Sequence, residues 1–114
     1  GCVTALAGAV PEWHRELIDA WRRGDDAACR AVQERITRLA RVFALDAVGA
    51  SFGHFAHALR RAVARRGWID NCNGMITGFE PTPDFDRQLD ELFDRCGLAP
   101  QLPAAGTVPA TAHP

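Results

Sequence analysis

Only one short segment of this 114-residue chain has the pattern of a β-strand. Residues 1–6, GCVTAL, form an apolar run of the kind found in parallel strands that are buried on both faces. A single strand cannot form a stable sheet, because its backbone N–H and C=O groups need neighbouring strands. We therefore expect residues 1–6 to pair with a strand outside this chain, to pair with a second copy, or to be irregular and exposed.

The rest of the chain up to residue 98 carries apolar residues at helical spacing, which predicts a mainly α fold. In the first predicted helix this apolar stripe contains Trp13, Leu17 and Trp21. If a partner outside the chain covers the stripe, an apolar patch around Val3, Leu6, Trp13 and Leu17 should be exposed in the chain alone. The predicted helices span residues 11–23, 26–45, 52–66 and 84–96.

The end of the chain differs in composition from the rest. Residues 99–114 contain mainly Ala, Pro, Gly and Thr, and they have few side chains that could be buried in a core. Such segments do not recover the entropy that ordering costs, so we expect a disordered tail over 99–114.

Charge and composition exclude several functions. The net charge of −1 argues against nucleic acid and acidic membranes as partners. No apolar run approaches the roughly 20 residues that a membrane span needs, so we expect a cytoplasmic protein. All 13 basic residues are arginine, and the chain has neither lysine nor tyrosine. A mechanism that needs a lysine amine or a phenol therefore cannot be completed within this chain.

The histidines and cysteines do not predict a metal site. His54 and His57 are three positions apart on a predicted helix, but zinc requires three or four protein ligands. We expect these two histidines to pack in the bundle or lie on its surface, and His14 to be exposed. The four cysteines show no CxxC spacing and are expected to be reduced. They are Cys2, Cys29, Cys72 and Cys96.

One predicted helix ends in a run of basic residues. The residues are Arg60, Arg61, Arg65 and Arg66. Such a run most often forms a solvated helix face, and anion binding is the alternative.

Five consecutive segments together resemble a known enzyme family. They are GCVTALAG, PEWHRELIDAWRRGD, DDAACRAVQERITRLARVF, FGHFAHALRRAVARRG and FEPTPDFDRQLDELFDRCGL. In this order and spacing they are similar to the C-terminal end of the dihydrodipicolinate synthase and N-acetylneuraminate lyase family. The chain departs from the family at Gly8, where asparagine is common, and at Gly53, where proline is common.

The resemblance implies a C-terminal fragment of a (β/α)8 TIM barrel. Residues 1–24 would be the last barrel strand and helix, and residues 25–98 would be a small C-terminal helical bundle. The missing strands would then be the partners of residues 1–6, since every strand of a barrel has neighbours on both sides.

The family forms a Schiff base between a lysine and the keto carbon of pyruvate, without a cofactor, and a tyrosine relays protons. Because this chain has neither residue, the resemblance implies a segment that is inactive alone and that contains no catalytic residue. It further implies that Thr4 and Ala5 contact substrate, since they match serines of the family, but only Thr4 keeps a hydroxyl. The alternative is that Thr4 only packs or caps the strand. The implied partners are the keto acid and either further copies or the missing N-terminal part.

A second hypothesis from a different functional class stays open. The chain could be a non-catalytic helical module that binds another protein. A helical DNA-binding protein is disfavoured, because the chain is slightly acidic and shows no helix-turn-helix with a basic second helix.

Overall fold

A computed structural model describes residues 4–45, 51–72 and 80–98 of the chain. These residues form four α-helices and two short 3-10 turns, and no strand occurs among them. The helices are α1 (Pro11–Arg22), α2 (Asp26–Leu39), α3 (Phe52–Arg65) and α4 (Pro83–Arg95). The 3-10 turns span Ala5–Gly8 and Ala40–Ala44. The prediction of a mainly α fold is confirmed.

Three of the predicted helices agree with the structure to within one residue, and the second is shorter than predicted. Its α-helical part ends at Leu39, and the 3-10 turn Ala40–Ala44 continues it to Leu45, which is extended. Helices often end in a 3-10 turn, because its hydrogen bonds satisfy carbonyls that the α-helix leaves without partners at its end. The apolar spacing does not distinguish the two kinds of turn over such a short distance.

Polar side chains determine where three of the helices begin. The side chains of Asp25, Ser51 and Thr82 each accept a hydrogen bond from the backbone N–H three residues later, at 3.0, 3.3 and 3.1 Å. Pro11 and Pro83 stand at the first position of α1 and α4, where the missing N–H costs no helical hydrogen bond. These signals lie in the local sequence, which is why the starts were predictable.

The end of α4 shows how glycine stops a helix and anchors the chain beyond it. Gly97 has a φ of 67°, a left-handed conformation that side chains with a Cβ rarely adopt. The following N–H, that of Leu98, then donates to the carbonyl of Phe93 at 2.9 Å. The Leu98 side chain is buried as a result, in the apolar contact that accompanies this type of helix end. Gly24 ends α1 in the same way.

The first described residues do not continue as a strand. Thr4 is extended, but the 3-10 turn starts at the next residue, and residues 1–3 lie outside the described residues. The prediction of a strand over residues 1–6 is therefore wrong for Ala5 and Leu6. The turn satisfies its backbone groups locally, since the N–H of Val10 donates to the carbonyl of Leu6 at 3.0 Å.

The turn directs an apolar side chain into the core instead of leaving it for an outside partner. Leu6 and Trp13 are each only 6% exposed and pack with residues of the later helices. The prediction of an exposed apolar patch is therefore wrong at these two positions, and Val3 lies outside the described residues. The C-terminal end of the apolar stripe of α1 is exposed to solvent, since Trp21 is 73% exposed.

The core is shared by all four helices and both turns. Helix α1 packs mainly on α2, and this pair is also joined by Arg35, which lies over the Trp13 ring at 5.0 Å and bonds Glu16 at 2.8 Å. The largest fully buried side chains come from both ends of the chain, and burial of each contributes on the order of 1.5–3 kcal/mol. They are Val10, Val32, Leu39, Leu89, Phe93 and Leu98.

Helices α3 and α4 are joined by a row of contacts to aspartates, two from arginine and one from histidine, that we call the charge ladder. His57 Nε2 lies 2.7 Å from Asp86 Oδ1, and Arg61 Nη2 lies 2.8 Å from Asp90 Oδ2. The ladder consists of the pairs His57–Asp86, Arg61–Asp90 and Arg65–Asp94. Each pair is separated by 29 positions, and this constant offset shows that the two helices run in the same direction.

The ladder corrects the expectation that the basic run of α3 is a solvated face. Arg61 and Arg65 contact aspartates of α4, and Arg66 forms an ion pair with Glu12 at the start of α1. The Arg66 side chain is also 5.0 Å from the centroid of the Trp68 ring. The run therefore joins α3 to both ends of the chain.

Two further expectations concern parts of the chain outside the described residues. The disordered tail predicted over 99–114 lies there, and so do residues 73–79 of the connection between α3 and α4. None of the helices in the described ranges combines the length and the apolar character that a membrane span requires.

The core predicts the effect of shortening a buried side chain. Leu89→Ala should lower the free energy of unfolding by about 2–5 kcal/mol, because it leaves a cavity at a fully buried site. Trp21→Ala is the control and should change it by less than about 0.5 kcal/mol, since that ring is mostly exposed. Urea denaturation followed by circular dichroism measures both, and equal effects would contradict this packing.

The charge ladder predicts energetic coupling between α3 and α4. A double-mutant cycle of Arg61→Ala and Asp90→Ala should give a coupling of about 0.5–1 kcal/mol, because both side chains are partly buried and the contact is bidentate. The Arg87–Glu91 pair within α4 is more exposed and should couple more weakly. Additive effects at Arg61 and Asp90 would show that the ladder does not hold the helices together.

Candidate functional site

The two residues that the family resemblance implies as substrate contacts stand at the start of the described chain. Thr4 is half-buried and extended, and Ala5 is exposed at the first position of the 3-10 turn. They are adjacent, but only Thr4 has a side chain that can hydrogen-bond. The structure brings Thr4, and not Ala5, into contact with a second polar side chain.

That second side chain is His14, and we call the two the hydroxyl–imidazole pair. Thr4 Oγ1 lies 3.3 Å from His14 Nε2, and His14 Nδ1 lies 3.0 Å from the carbonyl oxygen of Val10. A carbonyl only accepts, so Nδ1 carries a proton and donates to it. In the neutral imidazole Nε2 is then an acceptor, and the hydroxyl of Thr4 donates to it.

The pair forms because the chain reverses between its two members. Thr4 and His14 are ten positions apart, and the 3-10 turn Ala5–Gly8 followed by the first turn of α1 brings them together. His14 is half-buried, so the expectation that it is exposed is wrong. No periodic pattern in the sequence links the two residues, because the contact depends on a turn that was predicted as a strand.

The chemistry of the pair is that of an oriented hydroxyl. With a neutral imidazole, the Thr4 oxygen keeps its lone pairs available to a ligand donor. With a protonated imidazole, Nε2 becomes the donor, and the hydroxyl hydrogen is free to donate to a carboxylate or a carbonyl. The pair can therefore bind a polar group of a ligand in either protonation state of His14.

A second polar constellation lies at the buried end of the charge ladder. His57 is 6% exposed, bonds Asp86, and lies against the ring of Phe85 with 6.0 Å between ring centroids. Asp86 Oδ2 is also 3.4 Å from Arg61 Nη1. The contacts on each side come from helix packing, in agreement with the expectation that His57 packs in the bundle.

The two histidines of α3 both pack against Phe85 of α4, but their hydrogen bonds go to different residues. His54 Nδ1 lies 2.7 Å from Ser51 Oγ at the start of the helix, whereas His57 Nε2 lies 2.7 Å from Asp86 Oδ1. Across residues 4–45, 51–72 and 80–98, no group of three or more His, Cys, Asp or Glu side chains is placed to hold a metal ion. The three cysteines in these ranges, Cys29, Cys72 and Cys96, are free thiols.

A pocket lies where the ends of α2 and α4 meet, and we call it the arginine pocket. Its volume is about 640 Å³. The pocket is lined by Arg38, Arg41, Ala44, Leu45, Leu92, Arg95 and Cys96. The sequence did not point to it, because Arg95 is more than fifty positions from Arg41 and only the packing of α4 against the 3-10 turn Ala40–Ala44 brings them together.

The thiol of Cys96 reports on the electrostatics of this pocket. Burial raises the pKa of Cys96, and the positive charges of Arg95, Arg38 and Arg41 act in the opposite direction. Burial has the larger effect, so the thiol holds its proton to higher pH than a free thiol. All three guanidinium groups are thus close enough to the Cys96 thiol to affect its pKa.

Comparison with known proteins gives no match: no family model, no curated protein sequence and no solved structure matches the chain.

The hydroxyl–imidazole pair predicts an uncommon tautomer at His14. In mildly alkaline solution the neutral imidazole should carry its proton on Nδ1, and ¹⁵N-detected NMR of the ring distinguishes the tautomers. Thr4→Val removes the donor to Nε2 and should raise the population protonated at Nε2, whereas Ala5→Ser should leave the tautomer unchanged. A proton on Nε2 in the unaltered chain would contradict the assignment.

The raised pKa of Cys96 predicts slow alkylation. The reactive species is the thiolate, so the rate of modification by iodoacetamide at pH 8 should be below that of a small free thiol. Arg95→Gln removes a charge that lowers this pKa, and it should move the rate profile further toward high pH. Peptide mass spectrometry gives the rate at Cys96, and a shift toward low pH would contradict the prediction.

Proposed function

We propose that the chain is the C-terminal segment of a pyruvate-dependent Schiff-base lyase or synthase of the dihydrodipicolinate synthase and N-acetylneuraminate lyase type, acting in the cytoplasm. The observation that supports the proposal is the oriented hydroxyl of Thr4. An extended residue followed by a tight turn and a helix is the arrangement at the end of a barrel strand, where TIM-barrel enzymes have their active sites.

In this proposal the chain supplies part of the substrate-binding wall. Thr4 hydrogen-bonds a polar group of the keto acid, and His14 positions its hydroxyl. Ala5 adds an exposed apolar surface beside it. The lysine that forms the Schiff base and the tyrosine that relays protons belong to preceding residues of the parent enzyme, since this sequence contains neither.

A second candidate is a non-catalytic helical module that binds another protein. It is favoured by the burial of Leu6, Val10 and Trp13 in the core of the chain itself. In a barrel fragment, side chains of this segment would be expected to pack on the missing strands. The module proposal needs no missing strands, and it uses the exposed Trp21 of α1 as part of its contact surface.

Borohydride trapping separates the two candidates. The 114-residue chain incubated with pyruvate and borohydride should show no reduced imine by mass spectrometry, because it has no lysine. A product of the same gene that extends upstream of residue 1 should form the adduct on an upstream lysine. If the extended product traps no pyruvate, the lyase proposal fails and the module proposal takes its place.

The role of Thr4 is tested in the extended product. Thr4→Val should weaken substrate binding about tenfold, the loss that one neutral hydrogen bond of about 1–1.5 kcal/mol corresponds to. Thr4→Ser keeps the hydroxyl and is the matched control, with at most a small change in KM. Equal KM values for Thr4→Val and the unaltered enzyme would exclude Thr4 as a substrate contact.

A further inference from the structure

Most of the arginines on the helix interfaces have an acidic partner. Arg61 and Arg65 contact aspartates in the charge ladder, Arg66 pairs with Glu12, and Arg35 pairs with Glu16. These contacts neutralise the guanidinium groups where the helices meet.

In the part of the chain that the structure describes, the arginines of the arginine pocket have a weak acidic partner or none. Within the described residues, Arg41 makes no hydrogen bond or ion pair, and the Nε of Arg95 donates only to the backbone carbonyl of Glu91, at 3.3 Å. Arg38 is 3.9 Å from Glu34, and both side chains are about two-thirds exposed, so solvent weakens the attraction. No acidic side chain is among the described residues that line the pocket.

Three positive charges around one pocket repel one another, and a bound anion would relieve that repulsion. The helix dipoles explain why two of these arginines occur where they do. Arg38 and Arg95 stand in the last turns of α2 and α4, where a positive charge interacts favourably with the dipole. The dipoles do not explain why both side chains, and Arg41 as well, line the same pocket. Their convergence is a property of the tertiary structure.

The remaining walls of the pocket are mostly apolar. Leu45 and Leu92 face the same space as the guanidinium groups, together with Ala44 and the thiol of Cys96. The volume of about 640 Å³ lies within the range of small-molecule sites in proteins, roughly 300–1,000 Å³. The pocket thus combines a cationic rim with an apolar wall.

We propose that the arginine pocket is a binding site for a small organic anion, with a carboxylate or phosphate head held by Arg38, Arg41 and Arg95 and an apolar body against Leu45 and Leu92. Guanidinium groups bind both head groups through paired, charge-assisted hydrogen bonds, which a lysine cannot reproduce. The site is separate from the hydroxyl–imidazole pair and does not depend on the proposed lyase function.

Binding is measured by titration calorimetry with four probes: octyl phosphate, octanoate, octanol and inorganic phosphate. At least one of the two amphiphilic anions should bind at least about tenfold more tightly than octanol and than inorganic phosphate, since only they use both parts of the pocket. The tighter of the two identifies the head group. Octanol binding equally well would overturn the anion site, and inorganic phosphate binding equally well would overturn the role of the apolar wall.

Variants locate the site. Arg41→Gln and Arg95→Gln should each weaken the best probe about tenfold, because each removes a charged donor. Arg23→Gln removes an exposed positive charge outside the pocket and is the matched control. Circular dichroism verifies that each variant keeps its helix content. Equal losses in all three variants would mean that any surface arginine attracts the probe equally, and would overturn the proposal.

Cysteine protection gives a second, local readout. A saturating amphiphilic anion should slow the alkylation of Cys96 several-fold, because the thiol lines the pocket. Cys29 lies in a different surface groove with Leu17 and Arg30, and its alkylation should be unchanged. Bound probe that leaves Cys96 unprotected would place the ligand elsewhere on the chain and overturn the proposal.

Discussion

Packing of the segment from Leu6 to Trp13 into the core is the contact on which the rest of the structure depends. Leu6, Val10 and Trp13 are buried against the later helices, and this holds the first described residues against the bundle. The polar contacts at its edge follow from that position. Thr4 reaches His14, and Glu12 reaches Arg66 at the far end of α3. Without the buried side chains these polar contacts would lie open to solvent and contribute little, since isolated ion pairs on a protein surface are weak.

The other half of the structure is organised by the parallel alignment of α3 and α4. Parallel helices need a long connection, and residues 66–82 provide one. The charge ladder fixes the register, because a shift by one residue would turn the aspartates of α4 away from the basic residues of α3. The opposite face of α4 brings Leu92 and Arg95 to the end of α2. The same helix thus carries the aspartates that contact α3 on one side, and on the other side Arg95, which has no acidic side-chain partner among the described residues.

The two proposed sites differ in whether they need residues that this chain does not contain. A hydroxyl oriented by an imidazole can bind a polar group, but a Schiff-base enzyme needs a lysine that this sequence does not contain. The described residues that line the arginine pocket belong to the end of α2, to the 3-10 turn Ala40–Ala44 with Leu45 after it, and to the end of α4 with Cys96 after it. It can therefore act as a site in the chain alone or as part of a larger protein.

Local chemistry made the helices predictable from the sequence. The caps at Asp25, Ser51 and Thr82 and the stop at Gly97 act over three to five residues, so their effect can be read along the chain. The stripe of α4 likewise identified Leu89 and Phe93, both of which are buried. Thr4 was singled out by family resemblance, and not by its spacing.

Tertiary structure decided the contacts between elements. An apolar run such as residues 1–6 fits either a buried strand or a turn that inserts one side chain into a core, and only the available partner surface selects between them. The same holds for the contacts between Thr4 and His14, between Arg61 and Asp90, and among the arginines of the pocket. These groups meet because apolar faces pack together, and the sequence spacing of charged residues carries no information about which of them that packing brings into contact.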